Sequence, residues 1–242
     1  MSPIVEVLPD LAAVVDRALD LLLPRLQAAI AERGLATLAL AGGNTPKPLY
    51  ERLANQTFPW EKVHIFWGDE RYVPADHPDS NQRMARHAWL DRVAIPPGNI
   101  HPMPTDAAEP AVAAQAHDAE LRRFFQVAPG EFPALDVILL GMGDDAHTAS
   151  LFPKTEALQV CDRLITVGHK DGQPRLTFTI PLINTARCIL FLVTGENKQQ
   201  ALAQVFAPAA DPNQYPSRLI RPINGELIWL LDQAAGAQWA TQ

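Results

Sequence analysis

Two cysteines, Cys161 and Cys188, are all the thiols in this 242-residue chain. They can build no disulfide framework, so a reducing cytoplasm is the expected compartment. Cys188 lies in an apolar run, where a thiol packs as a small hydrophobe. Long hydrophobic runs are missing as well. Leu19 to Leu23 is apolar but far too short to span a bilayer, and charges flank it. The N-terminus lacks a basic segment followed by an apolar core, so no secretory signal is expected. Positive charge is scarce: 20 Lys and Arg stand against 27 Asp and Glu, a net charge of -7. That balance argues against nonspecific nucleic-acid binding, which needs a basic surface. It leaves room for a small anionic ligand, because a local cluster of cations can reverse the field inside a cleft. The seven histidines are scattered, with neither a His-Glu-x-x-His nor a Cys-x-x-Cys arrangement. No metal and no cofactor are therefore expected. Internal repeats, low-complexity tracts and long linkers are also lacking.

What is present is a globular composition, 48 % hydrophobic. A chain of this length buries about three quarters of its unfolded surface without staples. Short apolar runs predict strands at 4–8, 35–41, 62–67, 135–140, 163–167, 188–193 and 227–231, with a short one at 100–103. Between them lie helical patterns. One begins after Asp10 as N-cap and stops at Gly34, with Pro24 expected to kink or restart it. Others follow Thr45-Pro46, cover 81–92 and 109–126, and start near Lys198. Strands alternating with helices predict one α/β domain over 1–242, with a largely parallel central sheet flanked by helices in a Rossmann-like, doubly wound arrangement. Ligands of such sheets sit outside the carboxyl ends of the strands.

Four predicted strands end in chemically loaded loops. The run Leu135 to Leu140 feeds Gly141-Met142-Gly143-Asp144-Asp145-Ala146-His147-Thr148-Ala149-Ser150-Leu151-Phe152-Pro153. Here two carboxylates, an imidazole and two hydroxyls fall within seven residues, and histidine is the side chain suited to trading protons near neutral pH. Asp144 or Asp145 could equally cap a helix. The second loop is Gly42-Gly43-Asn44-Thr45-Pro46. Thr45 suits an N-cap and Pro46 the first helical position, and a helix start favours a phosphate. It is neither a P-loop nor a dinucleotide fingerprint. The third, Gly68-Asp69-Glu70-Arg71, offers a rigid guanidinium fork for a phosphate, a carboxylate or a developing oxyanion. The fourth, Thr194-Gly195-Glu196-Asn197-Lys198, puts a cation in the first turn of a helix, against the dipole preference. A neighbouring anion would make that placement cheaper.

The run from Gly141 to Pro153 resembles the G-M-G-x-D-G-H-T-A-S-L-F-P signature of the 6-phosphogluconolactonases, a family grouped with the glucosamine-6-phosphate deaminases. The loop at 42–46 resembles their Ser-Gly-Gly-x-Thr-Pro, with Ala41 in place of serine. Asp69-Glu70-Arg71 resembles their Asp-Glu-Arg-x-Val-Pro, and Arg175-Leu176-Thr177 and Thr194 to Lys198 resemble two further segments. The motifs run in the same order from Ala41 to about Lys198. Ala146 departs from the family's glycine, which is harmless unless the backbone there needs a positive φ.

The resemblance implies hydrolysis of 6-phospho-D-glucono-1,5-lactone by a monomer or small homo-oligomer, with no nucleic acid and no membrane involved. His147, Arg71, Asp69 and Asp145 would form the catalytic group, His147 drawing a proton from the attacking water. Gly42, Gly43, Asn44, Thr45, Lys198, Arg175 and Asn81 would bind the substrate and its phosphate. Arg175 either reaches the site or is a surface charge. Arg71 or loop N–H groups would stabilise the oxyanion. Ser150 is not in a Gly-x-Ser-x-Gly elbow, which argues against an acyl-enzyme. Two rivals are weighed: an amino-sugar-phosphate deaminase-isomerase and a non-catalytic sugar-phosphate sensor. The first would continue its histidine motif into Phe-Asn-Glu-Pro, whereas this chain reads Ala149-Ser150-Leu151-Phe152-Pro153. The second usually carries a DNA-binding segment, and none is seen.

Overall fold

Six of the apolar runs read as strands gather in one sheet, and the run at 163–167 enters a second, smaller one. The structure is a computed structural model and describes residues 3–239. In chain order, the elements are β1 (Ile4–Leu8), α1 (Leu11–Arg33), β2 (Ala36–Leu40), α2 (Lys47–Leu53), β3 (Val63–Trp67), β4 (Asp69–Arg71), α3 (Asn81–Ala88) and α4 (Pro110–Phe125). They continue with β5 (Val137–Leu140), β6 (Ile165–Lys170), β7 (Gln173–Phe178), α5 (Ile180–Asn184), β8 (Cys188–Val193), α6 (Gln199–Phe206), β9 (Glu226–Asp232) and α7 (Gln233–Gly236).

The main sheet has the order β1-β9-β8-β5-β2-β3, and its strand pairs are all parallel. Its inner strands are buried on both faces, which is why they read as continuous apolar runs rather than alternating ones. Successive side chains serve opposite cores. Leu38, Leu40 and Leu139 pack with α1, α2 and α3. Ala39, Ile138 and Leu140 pack with α4, α5, α6 and α7. On that second face the rings of Phe191 and Trp229 stack at 3.7 Å.

The winding of this sheet fixes where a site can open. After β2 the chain adds β3 on one side; later β5, β8 and β9 extend the sheet on the other. Neighbours β2 and β5 are thus the switch point, and their carboxyl-end loops part to leave a crevice. The glycine loops at 42–43 and 141–143 are the two that leave from there.

Four expectations need correction. Helix α1 does not restart at Pro24, since Leu11–Arg33 is one helix. Pro24 and Asp20 are exposed, so the carbonyl that Pro24 leaves unpaired can be hydrated. Thr45 is not an N-cap: α2 starts at Lys47 with Pro46 before it and no side-chain cap. Residues 100–103 form no strand, only a single bridge between Ile65 and Ile100. Finally, a second, antiparallel sheet of order β4-β7-β6 packs beside the main one. It absorbs the Asp69–Arg71 triplet as a strand and most of the supposed polar turn at 169–174. Only Asp171 and Gly172, both at positive φ, turn that hairpin.

Candidate active site

A cleft of about 330 Å³ opens over the switch point. It is lined by the tips of β2, β3, β5 and β8 and by one face of the small sheet. His147, Arg71, Asp69, Gly42, Gly43, Asn44, Thr45, Lys198, Arg175 and Asn81 all line it. Asp145 does not; it stands behind His147. Lys170, unforeseen from the sequence, is added to the wall.

The loop after β5 is built to present one imidazole. Gly143 donates its N–H to the His147 carbonyl at 2.9 Å, and Ala146 donates to the Gly143 carbonyl at 3.1 Å. Closing so tight a turn forces Ala146 to φ 64, a left-handed conformation that costs an L-residue about 1–2 kcal/mol. The Ala146 carbonyl is then pinned by the N–H of Ser217 at 2.9 Å and its hydroxyl at 2.8 Å. Gly143 is required for another reason: a Cβ there would come within 2.1 Å of His147 Nδ1.

Asp145 Oδ1 accepts from the His147 backbone N–H at 3.0 Å and from ring Nδ1 at 2.5 Å. This pairing puts the ring proton on Nδ1 and leaves Nε2 as the acceptor. Partial burial alone would push the Asp145 carboxyl up. The hydrogen bonds and charge of His147, with the charge of Lys170, outweigh it and hold the carboxyl down at about 2. Asp145 is therefore an ionised anchor for the ring over the working pH range.

The small sheet supplies cations. Arg71 on β4 lies directly opposite Arg175 on β7, and Arg175 lies opposite Gly168 on β6. Directly opposed residues share a face, and so do residues two apart. Arg71, Arg175 and Lys170 therefore project from one face. Arg71 Nη1 donates to the Asp79 carbonyl at 2.6 Å. Arg175 Nε is buried and has no hydrogen-bond partner among the described residues. Its pKa is drawn down, chiefly by burial and further by Arg71, against the pull of Asp69 and Glu70. Lys198 approaches from the β8 tip, where Gly195 turns at φ 101 and its N–H donates to both oxygens of Asp232 at 3.0 and 3.1 Å. The lining thus carries Arg71, Lys170, Arg175 and Lys198 against the single carboxylate of Asp69, inside a protein of net charge -7.

Polar acceptors occupy another part of the wall. Asp69 is buried, and its Oδ2 accepts from the Ser150 hydroxyl at 2.6 Å. Asn81 donates through Nδ2 to the Asp69 carbonyl at 2.9 Å, while its buried Oδ1 has no partner among the described residues. Gly42 must lack a side chain because a Cβ would meet that Oδ1 at 2.0 Å. Glu70 is committed elsewhere: its carboxylate accepts the N–H groups of Arg71, Asn81 and Gln82, each at 2.8 Å, and so fastens β4 to the start of α3. Burial raises its pKa despite these bonds. Thr45 Oγ1 meets Thr194 Oγ1 at 3.1 Å, joining the loops after β2 and β8. The element at 42–45 is therefore a loop tied to its neighbour rather than a helix start. Ser150 is fully buried with its hydroxyl spent on Asp69, so it presents no nucleophile.

A family model described as glucosamine-6-phosphate isomerases/6-phosphogluconolactonase matches residues 9–229. A 6-phosphogluconolactonase of Synechocystis sp. is 67 % identical over 236 residues, covering 98 % of each chain. Among solved structures, the 6-phosphogluconolactonase from Thermotoga maritima superposes with a TM-score of 0.84 at 31 % identity, over 96 % of this chain and 100 % of that one. A monomeric glucosamine-6-phosphate deaminase superposes at 0.82 with 17 % identity, over 97 % and 99 %, a likeness that carries the fold alone.

Proposed function

Because this chain belongs to the glucosamine-6-phosphate isomerase/6-phosphogluconolactonase family, we propose that it hydrolyses 6-phospho-D-glucono-1,5-lactone to 6-phospho-D-gluconate with His147 as general base. The reaction is a step of the oxidative pentose phosphate pathway. The observation that carries this reading is the pairing of His147 with Asp145, which leaves Nε2 free as an acceptor in a cleft walled by four cations.

In this reading Nε2 takes a proton from water as the water oxygen attacks the lactone carbonyl carbon. Asp145 steadies the imidazolium that forms. The carbonyl oxygen becomes a tetrahedral oxyanion, which Arg71 stabilises with the part of its fork not held by Asp79. Collapse of the intermediate breaks the bond to the ring oxygen. That oxygen leaves with the proton returned from Nε2, and no covalent enzyme intermediate forms. Lys198, Arg175 and the loop from Gly42 to Thr45 grip the phosphate. Asp69 and Asn81 offer acceptors to sugar hydroxyls. Cytoplasmic placement, and action on a small molecule without nucleic acid or membrane, belong to the same proposal.

The deaminase alternative lacks its glutamate: the residues after His147 and Thr148 are Ala149-Ser150-Leu151-Phe152-Pro153. The test compares lactone loss over the spontaneous rate with ammonia release from glucosamine 6-phosphate, in one preparation. Faster lactone loss without ammonia is expected. Ammonia release without faster lactone loss would overturn the proposal.

A further inference from the structure

One buried ring lies under three of the cleft's polar side chains. The ring centroid of Phe152 is 4.5 Å from that of His147, the planes inclined at 41°. Arg175 Cζ is 5.5 Å from the same centroid, and Lys170 Nζ is 5.7 Å from it. Phe152 is 5 % exposed. Its backbone is held by Thr155, whose hydroxyl donates to the Phe152 carbonyl at 2.8 Å.

An aromatic face is negative and attracts cations within about 6 Å. Lys170 and Arg175 come from the β6–β7 hairpin, while His147 and Phe152 belong to the loop after β5. No covalent path shorter than the whole hairpin joins the two groups. The ring of Phe152 therefore adds a side-chain contact between the proton-transfer side of the cleft and its anion-binding side, beside the bonds of Ser150 to Asp69 and Thr177. A leucine would keep a smaller apolar side chain there, but it has no quadrupole to hold two positive charges and no flat surface for an imidazole.

We propose that Phe152 is a positioning residue that aims the His147 ring and holds Lys170 and Arg175 toward the bound anion. Its kinetic part rests on the lactonase reading; its structural part does not. Lys170 enters by the same argument as a ligand-facing cation whose orientation depends on the ring.

The experiment uses the wild-type chain, Phe152→Leu, Lys170→Met and the double variant. In wild type, proton NMR should place the His147 Cε1–H signal clear of its ordinary position, shifted by the ring current of Phe152. Phe152→Leu should fold, with that shift lost. Its kcat for the lactone should fall about tenfold, since small errors of aim are costly. Its Kd for inorganic phosphate should weaken about fivefold, as expected when cations lose an aromatic partner. Lys170→Met should cost clearly less phosphate affinity in the Phe152→Leu background than in wild type. An unshifted His147 signal in wild type would overturn the proposal even if the variant failed to fold. Unchanged kcat and phosphate affinity in a folded Phe152→Leu, or strictly additive losses in the double variant, would overturn it too. If wild type binds phosphate and shows the ring-current shift but leaves the lactone untouched, the functional reading fails and the positioning role stands.

Discussion

Arg71 and Arg175 face each other directly across the antiparallel ladder between β4 and β7. Like charges so placed repel by about 0.2–1 kcal/mol. Lys170 projects from the same face, and Lys198 closes in from the β8 tip. Such crowding is tolerable where an anion neutralises it. Inorganic phosphate should therefore raise the melting temperature of the wild type. Arg175→Met should leave the unliganded protein within about 1 kcal/mol of wild type, yet weaken phosphate binding about tenfold, the loss expected for a charge-assisted contact. Thermal shift with and without phosphate measures both.

Lys198 tests the other side of the grip. Lys198→Ala should raise KM for the phosphorylated lactone about tenfold with kcat nearly kept, because the contact is made equally in ground and transition states. His147→Ala should do the reverse. Activity should vanish while calorimetry still detects binding of 6-phosphogluconate.

Asp145→Asn should lower kcat about 100-fold with KM nearly unchanged, since the ring loses the partner that selects its tautomer. The pH dependence follows from the carboxyl standing near 2 in the folded protein, below its ordinary 3.8. A depressed carboxyl contributes stability that is complete above its unfolded value and is lost as pH falls through the folded one. Wild type should therefore lose this contribution between about pH 4 and 2, and Asp145→Asn should not. No acid limb of the rate profile near neutrality should arise from Asp145. Denaturant melts across that pH range, with initial rates, check each point.

Gly143→Ala would drive a methyl into His147 Nδ1. It should abolish most of kcat while phosphate still binds. Ala146→Gly makes a useful contrast. Relief of the left-handed strain is offset by a looser unfolded chain and the loss of a buried methyl, so stability should stay within about 1 kcal/mol of wild type.

A second polar network lies outside the cleft. His64 Nδ1 and His101 Nε2 are 3.0 Å apart, and Glu120 bonds both His101 and His117 at 3.1 Å. Burial, aided by His101, lowers the His64 pKa to about 4 from 6.5. The unfolded chain then binds the extra proton first. Stability should fall as pH drops from about 6.5 to 4, by about 1–2 kcal/mol after allowance for partial exposure. His64→Gln should flatten that slope in chemical melts at each pH.

The main sheet was legible because its strands are buried on both faces and so read as unbroken apolar runs. The loops at 42–45 and 141–147 were legible because glycine follows those runs directly. The small sheet was not. Its strand β4 is three charged residues, and it pairs with β7 across roughly a hundred residues of chain, an interaction that leaves no local pattern. Lys170 was hidden for that reason, inside a stretch read as a turn. Thr45 was misread because its hydroxyl finds Thr194 rather than its own helix. Asp145 could be picked over Asp144 only through the family signature, and what it does became visible only in its bonds to the His147 ring and backbone.

Asp232 has one more implication. Its carboxylate holds the Gly195 N–H and also caps α7 through the Ala235 N–H at 2.7 Å, while Gln199 reaches the Ala234 carbonyl at 2.6 Å. The closing helix of the fold is thus riveted to the bend that carries Lys198. On the proposed function, any disturbance of this helix would be passed to Lys198 and so to the grip on a phosphate.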